Sequence, residues 1–419
     1  MSTAFSHSLP VSLRDDDIGL FSLTFPSIRL GLARWLVAFS FVWPFFNFKI
    51  LLPDVTVECN FVLVLLAAVL LPEVALRDKC SALLALPVFA VALTWGNPTA
   101  PLRLVIGMIP LLFVLNLARN MRELGQDLIP PNLAYRSLFL FVVFCLVQTV
   151  HFRFIPLIPE WFTQSLIAVV PRYMEAPYDD TGIRGVQGWA TEPSSAAVTC
   201  IAFSLVTIRQ RPDRRWTVLA LFALLAFLNK SIYSLVLLIL LGLYCLFTLR
   251  RKFYSLLALL PFASALIFYA LSSNRVEELR SSFLTAGISS ESNKELLRFT
   301  QILAPLGQFP HVYQPVILFG GLVMEPTGLL PLLVGYGSVM GLLWVANMIL
   351  RNLPRGHDSQ WPLTLLGGLI LLIMTPPDLV PSIVALAVLL VPLASKPMPV
   401  EGSRNCSTEI AISRSGGDE

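Results

Sequence analysis

A chain of 419 residues that is 56% hydrophobic and only 13% charged, with a mean hydropathy of +0.73, holds more apolar surface than one soluble core can hide. That excludes an ordinary soluble enzyme and predicts an all-α, polytopic membrane protein. The net charge of +4 is too small to argue for nucleic acid as a partner.

Residues 1–27 are polar, with Asp15, Asp16 and Asp17 in a row, and read as a solvated cytoplasmic tail. They lack the short apolar stretch and small-residue cleavage site of a signal peptide, so no cleavage is expected. Residues 28–395 form the predicted transmembrane domain, and 396–419 a second cytoplasmic tail.

A bilayer-spanning helix needs about 17–25 predominantly apolar residues. Suitable runs fall near residues 30–48, 55–71, 80–95, 102–118, 134–151, 194–208, 216–229, 232–250, 253–272, 327–350, 361–375 and 379–394, about twelve spans in all. The last two, separated by Pro376 and Pro377, also read as a hairpin that does not fully cross. Cys59, Cys80, Cys145, Cys200 and Cys245 lie in or beside these runs without disulfide or metal spacing, and read as small core residues.

Loops left in the cytoplasm are enriched in Lys and Arg. Here Arg77 and Lys79, then Arg119, Arg122 and Arg136, then Arg209, Arg211, Arg214 and Arg215, then Arg250, Arg251 and Lys252, then Arg351 and Arg355 occupy every second connection. The alternation predicts both termini inside. It also puts the two longest polar connections, residues 152–193 and 273–326, on the outer face, away from ATP and nucleotide sugars.

The first outer connection opens with Glu160, Trp161 and Phe162 and a following apolar stretch suited to the membrane interface. Arg172, Glu175, Asp179, Asp180 and Arg184 come next. The second carries two helix-start patterns, at Asn274 to Glu277 and Ser292 to Glu295, predicting short helices, with Arg280, Arg298 and His311 nearby. Asp179-Asp180 is a pair of adjacent acids in the first outer connection, and such a pair is common at turns, so no metal site is expected.

Between the first outer connection and the next apolar run lies IRGVQGWATEPSSAAVTC, from Ile183 to Cys200. Arg184 and Glu192 flank Gly185, Gly188 and Trp189, and Pro193 leads into Ser194, Ser195, Ala196 and Ala197. Small residues let a helix end pack closely, and Pro is tolerated in a first turn because its missing N–H has no intrahelical role there. Arg suits a phosphate ligand because its planar fork grips two oxygens and stays charged.

The order arginine, glycines, Glu-Pro-Ser and small residues at a helix head resembles the signature of Wzy-type polysaccharide polymerases, relatives of the O-antigen ligases. Asn229-Lys230-Ser231 is similar to a polar, Ser-rich turn that such proteins carry two helices later. Leu297-Arg298-Phe299 with Gly335-Tyr336-Gly337 resembles their second functional loop. The resemblance implies a GT-C-like enzyme of the bacterial inner membrane. Its substrate would be a glycan on an isoprenoid pyrophosphate, polymerised by inverting glycosyl transfer beside membrane lipid, with a flippase and a chain-length regulator as partners and no cofactor.

On that reading Arg184 and Arg298 hold the leaving pyrophosphate, with Arg172 and Arg280 behind them. Glu192 either acts as a base or fixes the arginines, and the second is favoured because neighbouring cations depress a carboxyl pKa. His311 is the natural base at neutral pH, or an incidental loop residue. Lys230 either touches phosphate or snorkels to the interface. Tyr233 and Ser234 would line the same cavity. A flippase or transporter would normally keep charge near the bilayer midplane, and the apolar runs hold almost none. A ligase would differ only in its acceptor.

Overall fold

A computed structural model describes residues 25–42, 49–52, 55–75, 99–155, 157, 185–186, 188–190, 193–229, 231–247, 347, 361–374 and 380–391. Among them the chain is almost wholly helical, with one short β-hairpin.

Helix α1 (Phe25–Val42) covers 30–42 of the expected run over 30–48, and residues 43–48 lie outside the described residues. Strands β1 (Lys49–Leu52) and β2 (Val55–Glu58) then pair antiparallel, Lys49 opposite Glu58 and Leu52 opposite Val55. This corrects the expectation of one apolar helix over 55–71. The β-branched Val55, Thr56 and Val57 follow the turn-favouring Pro53-Asp54, which spends them in a strand. Helix α2 (Cys59–Leu70) is the remainder and packs on α1.

After the single turn α3 (Pro72–Ala75) comes α4 (Thr99–Glu123), which runs through Pro110 and extends beyond the expected 102–118 at both ends. Its C-terminus is capped by Gly125 at φ +71°. There the Gly125 N–H donates to the Arg122 carbonyl (2.8 Å) and the Gln126 N–H to the Met121 carbonyl (2.9 Å), a Schellman motif that needs a residue tolerant of positive φ. Asn116 Nδ2 donates to the Val74 carbonyl (3.1 Å) and fastens α3 to α4.

The next elements agree with the expected runs to within a few residues: α5 (Leu133–Arg153), α6 (Pro193–Gln210), α7 (Arg215–Asn229), α8 (Ile232–Phe247), α9 (Trp361–Met374) and α10 (Val380–Leu390). A short 3-10 turn, Pro212–Arg214, links α6 to α7. Helix α6 touches α5, α7, α8, α9 and α10, and α10 touches α1, α4, α6 and α9. These two helices form the centre. Every residue of α10 is buried, as is α6 from Ala196 to Arg209.

Two buried polar side chains inside α6 are satisfied locally. Ser204 and Thr207 donate to the carbonyls four residues back, both at 2.7 Å. Cys145, Cys200 and Cys245 are buried free thiols, matching their reading as small core residues.

One described helix segment, Leu133–His151, is long and apolar enough to cross a membrane by length and composition. Asn60–Leu70, Ser195–Gln210, Tyr233–Leu246 and Val380–Leu390 are shorter apolar helices. The expected runs at 80–95 and 253–272 lie outside the described residues, as does 327–350 but for Asn347. Among the described residues several large apolar side chains are exposed: Trp35 is 58% exposed, Val69 76%, Leu140 58% and Phe227 59%. Water would favour burying side chains of this size, and hydrocarbon would not.

Candidate functional site

The glycines of the Ile183–Cys200 stretch determine how the chain enters α6. Gly185 lies so close to the end of α7 that a Cβ there would collide with the backbone of Asn229. The Val186 N–H donates to the Leu228 carbonyl (3.3 Å), so the contact is main chain on main chain. Only glycine permits that approach.

Three residues on, Gly188 sits at φ +64°, in the left-handed region that glycine occupies without strain. A Cβ there would come within 2.6 Å of the Phe141 ring and 3.1 Å of Cys145 Sγ. The side-chain amide of Gln148 grips its peptide groups from α5. Gln148 Nε2 donates to the Gly188 carbonyl at 2.7 Å, and the Gly188 N–H donates to Gln148 Oε1 at 2.8 Å. Both glycine groups are thus satisfied away from water, where an unpaired peptide group is costly.

Trp189 packs beside this clamp. Its ring meets Phe141 edge-on at 4.5 Å between centroids and Phe144 at a tilt at 5.6 Å. Val186 and Ala190 are buried on either side. Helix α6 then begins at Pro193, the position where a missing N–H costs nothing, and Ala196 and Ala197 are fully buried.

Behind Gly185 the α7–α8 connection gathers buried polar groups. Ser234 Oγ donates to Asn229 Oδ1 at 3.0 Å, and both residues are buried. Among the described residues the Ser231 hydroxyl is buried without a hydrogen-bond partner, as is the Thr199 hydroxyl nearly two turns into α6. Tyr233 packs half-buried against the core.

Arg172, Arg184, Glu192, Lys230, Arg280, Arg298 and His311 lie outside the described residues, as do Asp179, Asp180 and the Gly335-Tyr336-Gly337 segment. Their chain neighbours are described for the first connection. Gly185 follows Arg184 directly, Pro193 follows Glu192, and Asn229 and Ser231 flank Lys230. The fold therefore brings two of the singled-out stretches, Ile183–Cys200 and Asn229-Lys230-Ser231, into backbone contact. Among the described residues no three His, Cys, Asp or Glu side chains gather as a metal would require.

Gln148 is the residue that a search for ionisable side chains passes over. It stands uncharged in an otherwise apolar run, and a polar side chain at such a place is expensive unless it has a partner. That expense was the available signal. The partner, a backbone glycine 40 residues away, has no mark in the sequence. Comparison of the chain with family models, with curated proteins and with solved structures yields no match.

Proposed function

We propose that this chain is a polysaccharide polymerase of the bacterial inner membrane. It would extend a glycan carried on an isoprenoid pyrophosphate by inverting glycosyl transfer on the outer face. The observation that supports this most directly is the contact between Gly185 and Asn229. Two sequence-distant stretches, each resembling part of one enzyme family, meet there although nothing in soluble-protein packing requires it.

On this reading the glycine turn is a rigid mount. In the chain Arg184 directly precedes this turn, Glu192 directly precedes α6 and Lys230 directly follows α7. Arg184 and Arg298, with Arg172, Arg280 and Lys230 in support, neutralise the pyrophosphate as it departs. Glu192 holds the arginines and His311 accepts the proton of the acceptor hydroxyl. The new glycosidic bond forms as the bond between the donor's anomeric carbon and its pyrophosphate oxygen breaks, the isoprenoid pyrophosphate leaving intact, so no nucleotide sugar is consumed.

The test is the lipid-linked glycan profile of cells with and without the protein. Accumulation of single repeats on loss of the protein is the expected result. Long lipid-linked chains would instead assign a ligase, and an unchanged profile would leave transport of another molecule. Arg184→Ala should abolish extension in a protein that remains inserted, because losing a charge-assisted contact to developing charge raises a barrier by on the order of 3 kcal/mol. Arg184→Lys should restore only part, since a point charge lacks the two-pronged grip. Purified protein should also elongate lipid-linked repeats in the presence of a chelator. Loss of activity there, restored by magnesium, would move Asp179 and Asp180 to the centre of the mechanism.

A further inference from the structure

At one end of the bundle three connections are tied together. Arg34 of α1 donates from Nη1 to Gln126 Oε1 (3.2 Å) and from Nε to the Leu128 carbonyl (3.4 Å). Gln210, the last residue of α6, donates from Nε2 to the Ile129 carbonyl (2.8 Å). The α4–α5 connection is thereby fastened both to α1 and to the start of the α6–α7 connection.

This end is basic. Arg136 and Arg211 are exposed there, and the Arg214 guanidinium lies 4.4 Å from the centroid of the Tyr135 ring, beside Arg136 in the chain. An aromatic face under a guanidinium holds it in place without neutralising it. The apolar wall begins at once beyond these charges. Phe139 and Leu140, three and four residues on from Arg136 and so on the same face of α5, are 47% and 58% exposed. On α7, which packs against α5, Trp216 near the start and Phe227 near the end are exposed as well, at 44% and 59%.

We propose that this face binds an anionic phospholipid, its headgroup phosphate held by Arg136, Arg211 and Arg214 and its acyl chains lying along α5 and α7. A soluble anion or a nucleic acid would leave the apolar wall uncovered. A neutral lipid would leave Arg136, Arg211 and Arg214 in excess over Asp213, the acid of the α6–α7 connection. The lipid satisfies both halves of the surface, with arginines near an anionic headgroup layer each contributing favourably. The proposal rests on the bilayer part of the functional reading and is independent of its chemistry.

The test reconstitutes the full chain in nanodiscs of phosphatidylcholine doped with phosphatidylglycerol and measures retained lipid by native mass spectrometry. Wild type should retain phosphatidylglycerol in preference to phosphatidylcholine. Replacing Arg136→Gln and Arg214→Gln together should reduce that preference by on the order of fivefold for each arginine. Arg136→Lys should keep most of it. Arg122→Gln removes an equal charge at the same end from an exposed position of α4 and should leave the preference intact. Should the double variant fail to fold, Arg136→Gln and Arg211→Gln singly, both at exposed positions, decide the matter.

Equal retention of the two lipids by wild type would overturn the proposal. So would an equal loss in Arg122→Gln, displacement of the lipid by inorganic phosphate, or a co-purifying protein covering this face. Recovery of the chain in the aqueous fraction after an alkaline carbonate wash would overturn the bilayer reading itself. Integral behaviour without headgroup preference would overturn only the lipid site.

Discussion

Gln148 and Gly185 do different work at the same turn, and substitutions separate them. Gln148→Met keeps the length and flexibility of the side chain but removes both hydrogen bonds to Gly188. Two buried peptide groups are then left unpaired, which should destabilise the protein by about 2–4 kcal/mol. Unfolding in mild detergent measures the loss. Hydrogen exchange at the Gly188 amide should accelerate more than exchange within α6. Gly185→Ala is more severe, because the new methyl group meets the main chain of Asn229, which cannot swing aside. Gly31 is the contrasting case. It sits inside α1 with nothing within 4 Å of a built Cβ, so Gly31→Ala should stabilise by about 0.5–1 kcal/mol. Equal effects of the two glycine substitutions would show that the close approach at Gly185 is not what holds the turn.

Helix α6 is where local pattern and tertiary position coincide most closely. Its alanines Ala197 and Ala202 are fully buried among five neighbouring helices, so there is no room for a larger side chain. Ala202→Leu should destabilise by about 1–3 kcal/mol through overpacking, whereas Thr217→Leu on the exposed face of α7 should be near neutral, as read from thermal unfolding in detergent. The location of α6 and α7 was legible in the sequence because long apolar runs and a proline start mark helices directly. The β1–β2 hairpin was not. Its Val55-Thr56-Val57 is as apolar as the helix that follows, and hydropathy alone does not separate a β-branched strand from the head of a helix. The motif was legible as a motif, since its glycines, proline and small residues are unusual together. Its anchoring was not legible, because Gly188 and Gln148 are joined by main-chain geometry that only the folded chain creates.

At the scale of the whole molecule, the described residues combine an apolar core with exposed apolar side chains, and Arg136, Arg211 and Arg214 stand at the end where the α4–α5 and α6–α7 connections are tied together. On the proposed bilayer reading, the positive-inside tendency assigns that end to the cytoplasm. Single cysteines at Asp179 and Ser290 should react with an impermeant reagent in intact cells once the outer membrane is opened, and one at Asp213 should react only after the inner membrane is broken. The reverse pattern would put both long connections on the wrong side for an outer-face polymerase.

The clamp on Gly188 has a consequence for how such a protein diversifies. Gln148 lies near the end of α5, so the chain leaves α5 just beyond it and is gripped again by the same helix at Gly188, 40 residues later in sequence. The stretch between is closed at its root like a cassette. For a loop closed in this way, doubling its length costs only about 0.6 kcal/mol of closure entropy. Residues can therefore be inserted, deleted or exchanged within it while the root and the core behind it stay as they are. On the proposed polymerase reading, recognition of a new sugar would be acquired there by drift in the content of this stretch while the Gln148–Gly188 root stays unchanged.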